Sequence, residues 1–80
     1  MKFGIKIMPR EVILDTQGRA IENSMKSNGY SLLGCRAGKF LELTMSHDDV
    51  AKGQVEVEKM LNEGGLYNPL IEKFEIQILN

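Results

Sequence analysis

A chain of eighty residues makes one small domain, and at that size only about 60% of the unfolded surface is buried on folding, so a single core is marginally stable alone. Ten basic and eleven acidic residues give a net charge of −1, and the Lys and Arg positions are scattered from Lys2 to Lys73, which excludes the basic stripe of a nucleic-acid binder. The one cysteine, Cys35, excludes an internal disulfide, a cysteine-ligated iron–sulfur cluster and a zinc ribbon, and nothing reads as a signal peptide or membrane span, so a cytoplasmic domain over residues 1–80 is expected.

Phe3, Ile5 and Ile7 alternate with Lys2, Gly4 and Lys6, the period of a strand with one buried face, and the first strand is predicted over residues 2–8. Pro9 stops it, because it cannot donate to a ladder and restricts Met8 as well. Asp15 is a strong N-cap, placing the start of the first helix at Thr16. Gly18 then falls in the first turn, where glycine in place of alanine costs roughly 0.5–1 kcal/mol. Close approach by another surface is the simplest compensation. Gln17, Ala20, Ile21, Ser24, Met25 and Asn28 share one side of this helix, a weakly apolar stripe, and Asn28-Gly29 ends it.

Strand-like spacing returns from Ser31, with strands predicted over residues 32–37 and 39–45 around a tight connection at Gly38. Ser46 and Asp49 have capping-box spacing, so the second helix is expected over residues 47–62, with Val50, Gly53, Gln54, Val57, Met60 and Leu61 in one arc. Gly64-Gly65 and Asn68-Pro69 end it, and a last strand over residues 72–79 alternates Phe74, Ile76 and Ile78 with Glu75 and Gln77. The order β-α-β-β-α-β predicts an α+β, ferredoxin-like fold: a four-stranded antiparallel sheet with both helices on one face. The far face, which carries Lys2, Lys6, Phe40, Glu42 and Glu75, is mixed in character, so it or the sheet edges are expected to contribute to self-association.

No catalytic constellation emerges. A nucleophile needs an adjacent base, and the one histidine, His47, stands beside a helix cap. Cys35 reads as a small strand residue. Asp48 and Asp49 are explained by the helix dipole better than by a metal, and Gly64-Gly65 lacks the Lys-Ser or Lys-Thr of a phosphate loop. Gln17-Gly18-Arg19 admits three readings: a plain helix start, a protein contact, or an anion site that the charge of Asp15 opposes. Lys39 reads as a rim charge that serves partner choice.

Three blocks carry a family resemblance: Leu14-Asp15-Thr16-Gln17-Gly18-Arg19-Ala20-Ile21-Glu22, then Arg36-Ala37-Gly38-Lys39, then Asn68-Pro69-Leu70-Ile71-Glu72. In sequence, length and block spacing the chain resembles PurS, the small subunit of multi-subunit phosphoribosylformylglycinamidine synthase. Thr16 stands where the family usually has Pro, Arg19 where it has Lys, Tyr67 where it has Ala, and residues 62–67 depart from its pattern. The resemblance implies a non-catalytic subunit in purine biosynthesis with no cofactor or metal of its own. It implies partners: a synthetase subunit that binds ATP and magnesium, a glutaminase subunit that releases ammonia, and further copies of the chain in a homodimer or homotetramer. It also marks Gln17, Gly18, Arg19, Lys39, Asn68 and Pro69 as candidate partner contacts. The competing expectations are a homo-oligomeric regulatory module that binds a metabolite near the first helix and, more weakly, an acylphosphatase-like hydrolase, whose phosphate loop Pro9-Arg10-Glu11-Val12 does not match.

Overall fold

The computed structural model describes residues 1–79, so Asn80, the last residue of the expected domain, lies outside the described residues. The elements are β1 (Lys2–Pro9), α1 (Thr16–Ser27), β2 (Lys39–Thr44), α2 (Val50–Asn62) and β3 (Glu72–Ile78). β1 is the centre of a three-stranded antiparallel sheet of order β2-β1-β3. Its alternating apolar residues decide this placement, since Phe3, Ile5 and Ile7 are all fully buried. Their strand neighbours share the face: Phe3 stands opposite Leu43 and Ile78, Ile5 opposite Leu41 and Ile76, and Ile7 opposite Phe74.

α2 covers that face with Val57 and Leu61, which complete the core cluster, and Gly53 is buried against the Phe3 ring. Tyr67 and Phe74 meet edge to face at 4.9 Å and pack against the cluster. This geometry for aromatic pairs adds about 0.5–1.5 kcal/mol beyond area burial. Tyr67 thus gives a packing role to part of the segment that departs from the family pattern. On the opposite face, where the sequence placed them, Lys2 pairs with Glu42 and Lys6 with Glu75, each at 3.4 Å and about half exposed.

Three expectations are corrected, two of them large. The four-stranded sheet is three-stranded, because residues 32–37 carry no regular secondary structure and join no ladder, and Cys35 is therefore not a strand residue. Local acceptors take the amides a ladder would need: Glu22 Oε1 accepts from Cys35 N at 3.2 Å and Asp15 Oδ2 from Ala37 N at 2.6 Å. The second correction concerns the helices, of which only α2 packs on the sheet. The sole buried residue of α1 is Gly18, and no described residue between positions 8 and 40 belongs to the core cluster or packs against it. A stripe in which Gln17, Ser24 and Asn28 alternate with Ala20, Ile21 and Met25 offers too little apolar area to hold a helix on a sheet.

Residues 10–38 therefore form an arm, α1 with an irregular return segment bonded to it, that leaves a body made of the sheet and α2. The dimensions, 48 × 26 × 13 Å with a radius of gyration of 15.8 Å, are those of an elongated, flat molecule. A compact chain of this length would have a radius of about 12 Å. A smaller correction applies to α2, which starts one turn later than the expected His47. Asp49, not Ser46, caps it, accepting from Ala51 N at 2.8 Å. A carboxylate at the positive end of the helix competes well with a hydroxyl for that position. No helix of the described residues is long and apolar enough to cross a membrane.

Candidate partner-contact site

The three blocks singled out in the sequence converge where the arm leaves the body. Asp15, from the first block, is the joint. Its Oδ1 accepts from Gly18 N at 2.8 Å, closing the first turn of α1, while its Oδ2 accepts from Ala37 N in the second block. Its side chain is only 12% exposed, with Arg36 Nε 4.0 Å away. The Ala37 amide foremost, then the Gly18 amide and the Arg36 charge, hold the Asp15 carboxyl below its ordinary range.

Gly18 acquires its explanation here. A Cβ at this position would overlap Asp15 Oδ2 and lie 2.6 Å from the backbone oxygen of Cys35. The close approach anticipated at Gly18 is thus made by the chain's own return segment. Gly38, just beyond, crosses the end of β1 so closely that a Cβ would overlap the Ile7 carbonyl oxygen and the Met8 sulfur. The close packing of strand end and return segment leaves room only for glycine there.

Arg36 extends the joint towards the body by donating from Nη2 to the carbonyls of Pro9 at 2.6 Å and Arg10 at 3.1 Å. Arg10 then reaches the third block, its backbone N–H donating to the Ile71 carbonyl at 2.9 Å and its Nε to the Pro69 carbonyl at 3.0 Å. Asn68 closes a tight turn around Pro69, since its Oδ1 accepts from Leu70 N at 3.0 Å and its N–H donates to Glu72 Oε1 at 2.7 Å.

A cleft of about 340 Å³ opens on this junction, lined by Gln17, Lys39, Leu14, Ala37, Ile71 and Glu72 among others. Arg19 lines a neighbouring hollow of about 400 Å³ with Glu22, Cys35 and Arg36. Of the six candidate contacts, Gln17 and Lys39 are brought to one cleft, Arg19 stands beside it, and Asn68 and Pro69 form the turn tied to its base. Gly18 alone is buried. Apolar side chains crown the same end: Val12 is 90% exposed, Leu70 82% and Leu14 66%. Exposed apolar groups rimmed by polar residues are a feature of interaction surfaces.

Sequence reasoning placed Asp15 as a cap but missed its second contact, and missed Arg36 and Arg10 as the ties between blocks. The signal available was the glycine at position 18, whose cost demanded a neighbour. The amide that opens α1 already bonds Asp15, which disfavours the anion reading. His47 lies before α2 and approaches Glu56 at 3.4 Å. Among the described residues no group of three or more His, Cys, Asp or Glu side chains is arranged to hold a metal ion.

The family model for PurS, phosphoribosylformylglycinamidine (FGAM) synthase, matches residues 2–80. Among solved structures the chain is similar to the PurS subunit of that synthase from Thermotoga maritima, with a TM-score of 0.89 and 29% identity over 98% of this chain and 90% of that one. It is equally similar to a chain of the PurLQS structure from Thermotoga maritima, TM-score 0.89 and 29% identity, covering 98% of this chain and 95% of that one. B. subtilis PurS matches with a TM-score of 0.80 and 30% identity over 95% and 94% of the two chains. No curated protein matches the sequence.

Proposed function

The chain belongs to the PurS family of FGAM synthase, and from that premise we propose that it joins a glutaminase subunit to an ATP-dependent synthetase subunit so that ammonia passes between them. It is a subunit of a ligase complex of purine biosynthesis, and catalysis is the task of its partners. The observation that carries the reading is its similarity, over nearly its whole length, to a chain of a PurLQS structure. In this reading residues 1–80 act as one PurS-like domain in the cytoplasm. ATP and magnesium bind to the synthetase, and the exposed Gln17, Arg19, Lys39, Asn68 and Pro69 meet a partner. The buried Gly18 contributes by letting the arm close.

The chain also works as a dimer or larger homo-oligomer. Support comes from residues 32–37, which join no ladder within the chain and carry Leu33 at 94% exposure. A second copy would supply the missing neighbour, so the fourth strand expected from the sequence is completed between chains. A folded 9.0 kDa monomer as the only species in sedimentation at micromolar concentration would overturn this part.

The test of the main reading is a reconstituted mixture of the synthetase and glutaminase from the same cell, assayed with and without this chain. Glutamine-dependent synthesis should require it. Ammonia-dependent synthesis should proceed without it, because free ammonia bypasses delivery, and the chain alone should turn over neither glutamine nor ATP. Equal glutamine-dependent rates in its presence and absence would remove the reading.

A further inference from the structure

The arm is held without a hydrophobic core. No described residue between positions 8 and 40 belongs to the core cluster or packs against it, so the direction in which α1 leaves the sheet must be set by polar contacts. They run in one line across the joint. Asp15 binds the Gly18 amide at the start of α1 and the Ala37 amide of the return segment. Arg36, next along that segment, binds the Pro9 and Arg10 carbonyls at the end of β1. Arg10 binds the loop before β3. Within this line the Asp15 carboxylate ties the start of the helix to the return segment, with Glu22 making a second tie at Cys35 further along α1, and Asp15 does so from a site largely closed to water, with the Arg36 guanidinium beside it. Charge-assisted hydrogen bonds of this kind are about twice as strong as neutral ones and fix direction as well as distance.

We infer that Asp15 and Arg36 are positioning residues: together they latch the arm to the body at a fixed angle and so set how the candidate contacts are presented to the partner subunits. The inference rests on the partner reading above. It goes beyond helix capping, which needs only one carboxylate oxygen and would be satisfied by other residues.

That distinction supplies the test. Asp15→Asn keeps the size and one capping oxygen for the Gly18 amide, but turns an N–H donor towards the Ala37 N–H. Asp15→Ser also keeps a capping oxygen and offers no second acceptor. Arg36→Ala cuts the link to β1 without touching the cap. Each variant is measured by amide hydrogen exchange on the isolated chain, and by glutamine-dependent and ammonia-dependent synthesis in the reconstituted mixture. The expected result is exchange at Ala37 faster by about tenfold, sheet amides of Ile5 and Ile7 unchanged, and local opening confined to the arm. Glutamine-dependent synthesis should fall about fivefold or more while ammonia-dependent synthesis stays within about twofold, because only delivery depends on how the partners are held.

Wild-type glutamine-dependent rates in Asp15→Asn and Asp15→Ser would overturn the inference, as would sheet amides that lose protection in step with Ala37. Failure of the partner reading looks different: the unmodified chain would then add nothing to glutamine-dependent synthesis in the first place.

Discussion

The body and the arm of this molecule are built from the same kinds of residue and held by different forces. In the body, Phe3, Ile5, Ile7, Val57 and Leu61 are shut away from water, and sheet and helix meet through apolar area. In the arm, Val12 and Leu33 stand almost entirely in water, and the geometry is kept by carboxylates and a guanidinium on backbone groups. Apolar burial is non-directional and tolerates small shifts, whereas a few charge-assisted hydrogen bonds fix an angle with little area. A domain that must hold its shape uses the first. In the function proposed above, a limb presented to other subunits in one direction uses the second, and its exposed apolar side chains are the surface offered to them.

The contrast is sharpest on the body side, where the largest effect is expected. Ile5→Ala removes a fully buried side chain of the central strand and should destabilise the isolated chain by about 2–5 kcal/mol, read from urea unfolding. A loss as small as that of an arm substitution would mean that the sheet core does not carry the stability.

Next in size is Gly18→Ala. A glycine at a plain helix start would give way to alanine with a gain of about 0.5–1 kcal/mol. Here the new methyl meets the Cys35 carbonyl and Asp15, and overpacking of this sort costs about 1–3 kcal/mol. The variant should therefore lose protection at arm amides while the sheet keeps its own. Stabilisation of the arm in hydrogen exchange would show that the close approach is not tight.

Acid provides a subtler break. The folded Asp15 carboxyl is held below its ordinary value, so its contribution to the latch is complete above the unfolded value of about 4 and is lost as pH falls through the lower folded value. The Ala37 amide resonance should follow that loss, with a midpoint below about 4, before the sheet responds. A midpoint at or above the ordinary carboxylate value would take Asp15 out of the latch. Glu22 moves the same way, held down first by its bond from Lys26 and assisted by the Cys35 amide, so the return segment should loosen along its length.

The smallest effect belongs to Val12→Ala. Val12 is 90% exposed, and its truncation should change the stability of the isolated chain by less than about 0.5 kcal/mol. In the assembled complex the same change should weaken binding measurably by titration calorimetry, since a side chain that is free in one state is covered in the other. Equal affinity for Val12→Ala and the unmodified chain would return this residue to ordinary surface.

Much of the body was legible because its signals are local. The alternation of Phe3, Ile5 and Ile7 and that of Phe74, Ile76 and Ile78 specify strands with one buried face, and the arc of Gly53, Val57 and Leu61 specifies the side of α2 that covers them. Asp15 announced the start of α1 to the residue, as did Asn28-Gly29 its end. Residues 32–37 misled for a physical reason: their spacing suits a strand, but a strand needs a neighbour, and within one chain Asp15 and Glu22 claim two of the amides. The candidate site was legible as three blocks and not as a place, because nothing in a sequence says that Arg36 will reach the carbonyl of Pro9.

Periodicity, caps and turn residues, which act over a few positions, determined the five elements that form, their order and the apolar face of each strand. The blocks determined its family. Only the tertiary structure decided that the sheet has three strands, that α1 leaves it, and that Gly18 answers to the chain's own return segment. Each of those outcomes turns on a contact between residues distant in sequence, where the geometry of a single carboxylate or carbonyl outweighs the pattern of the residues around it.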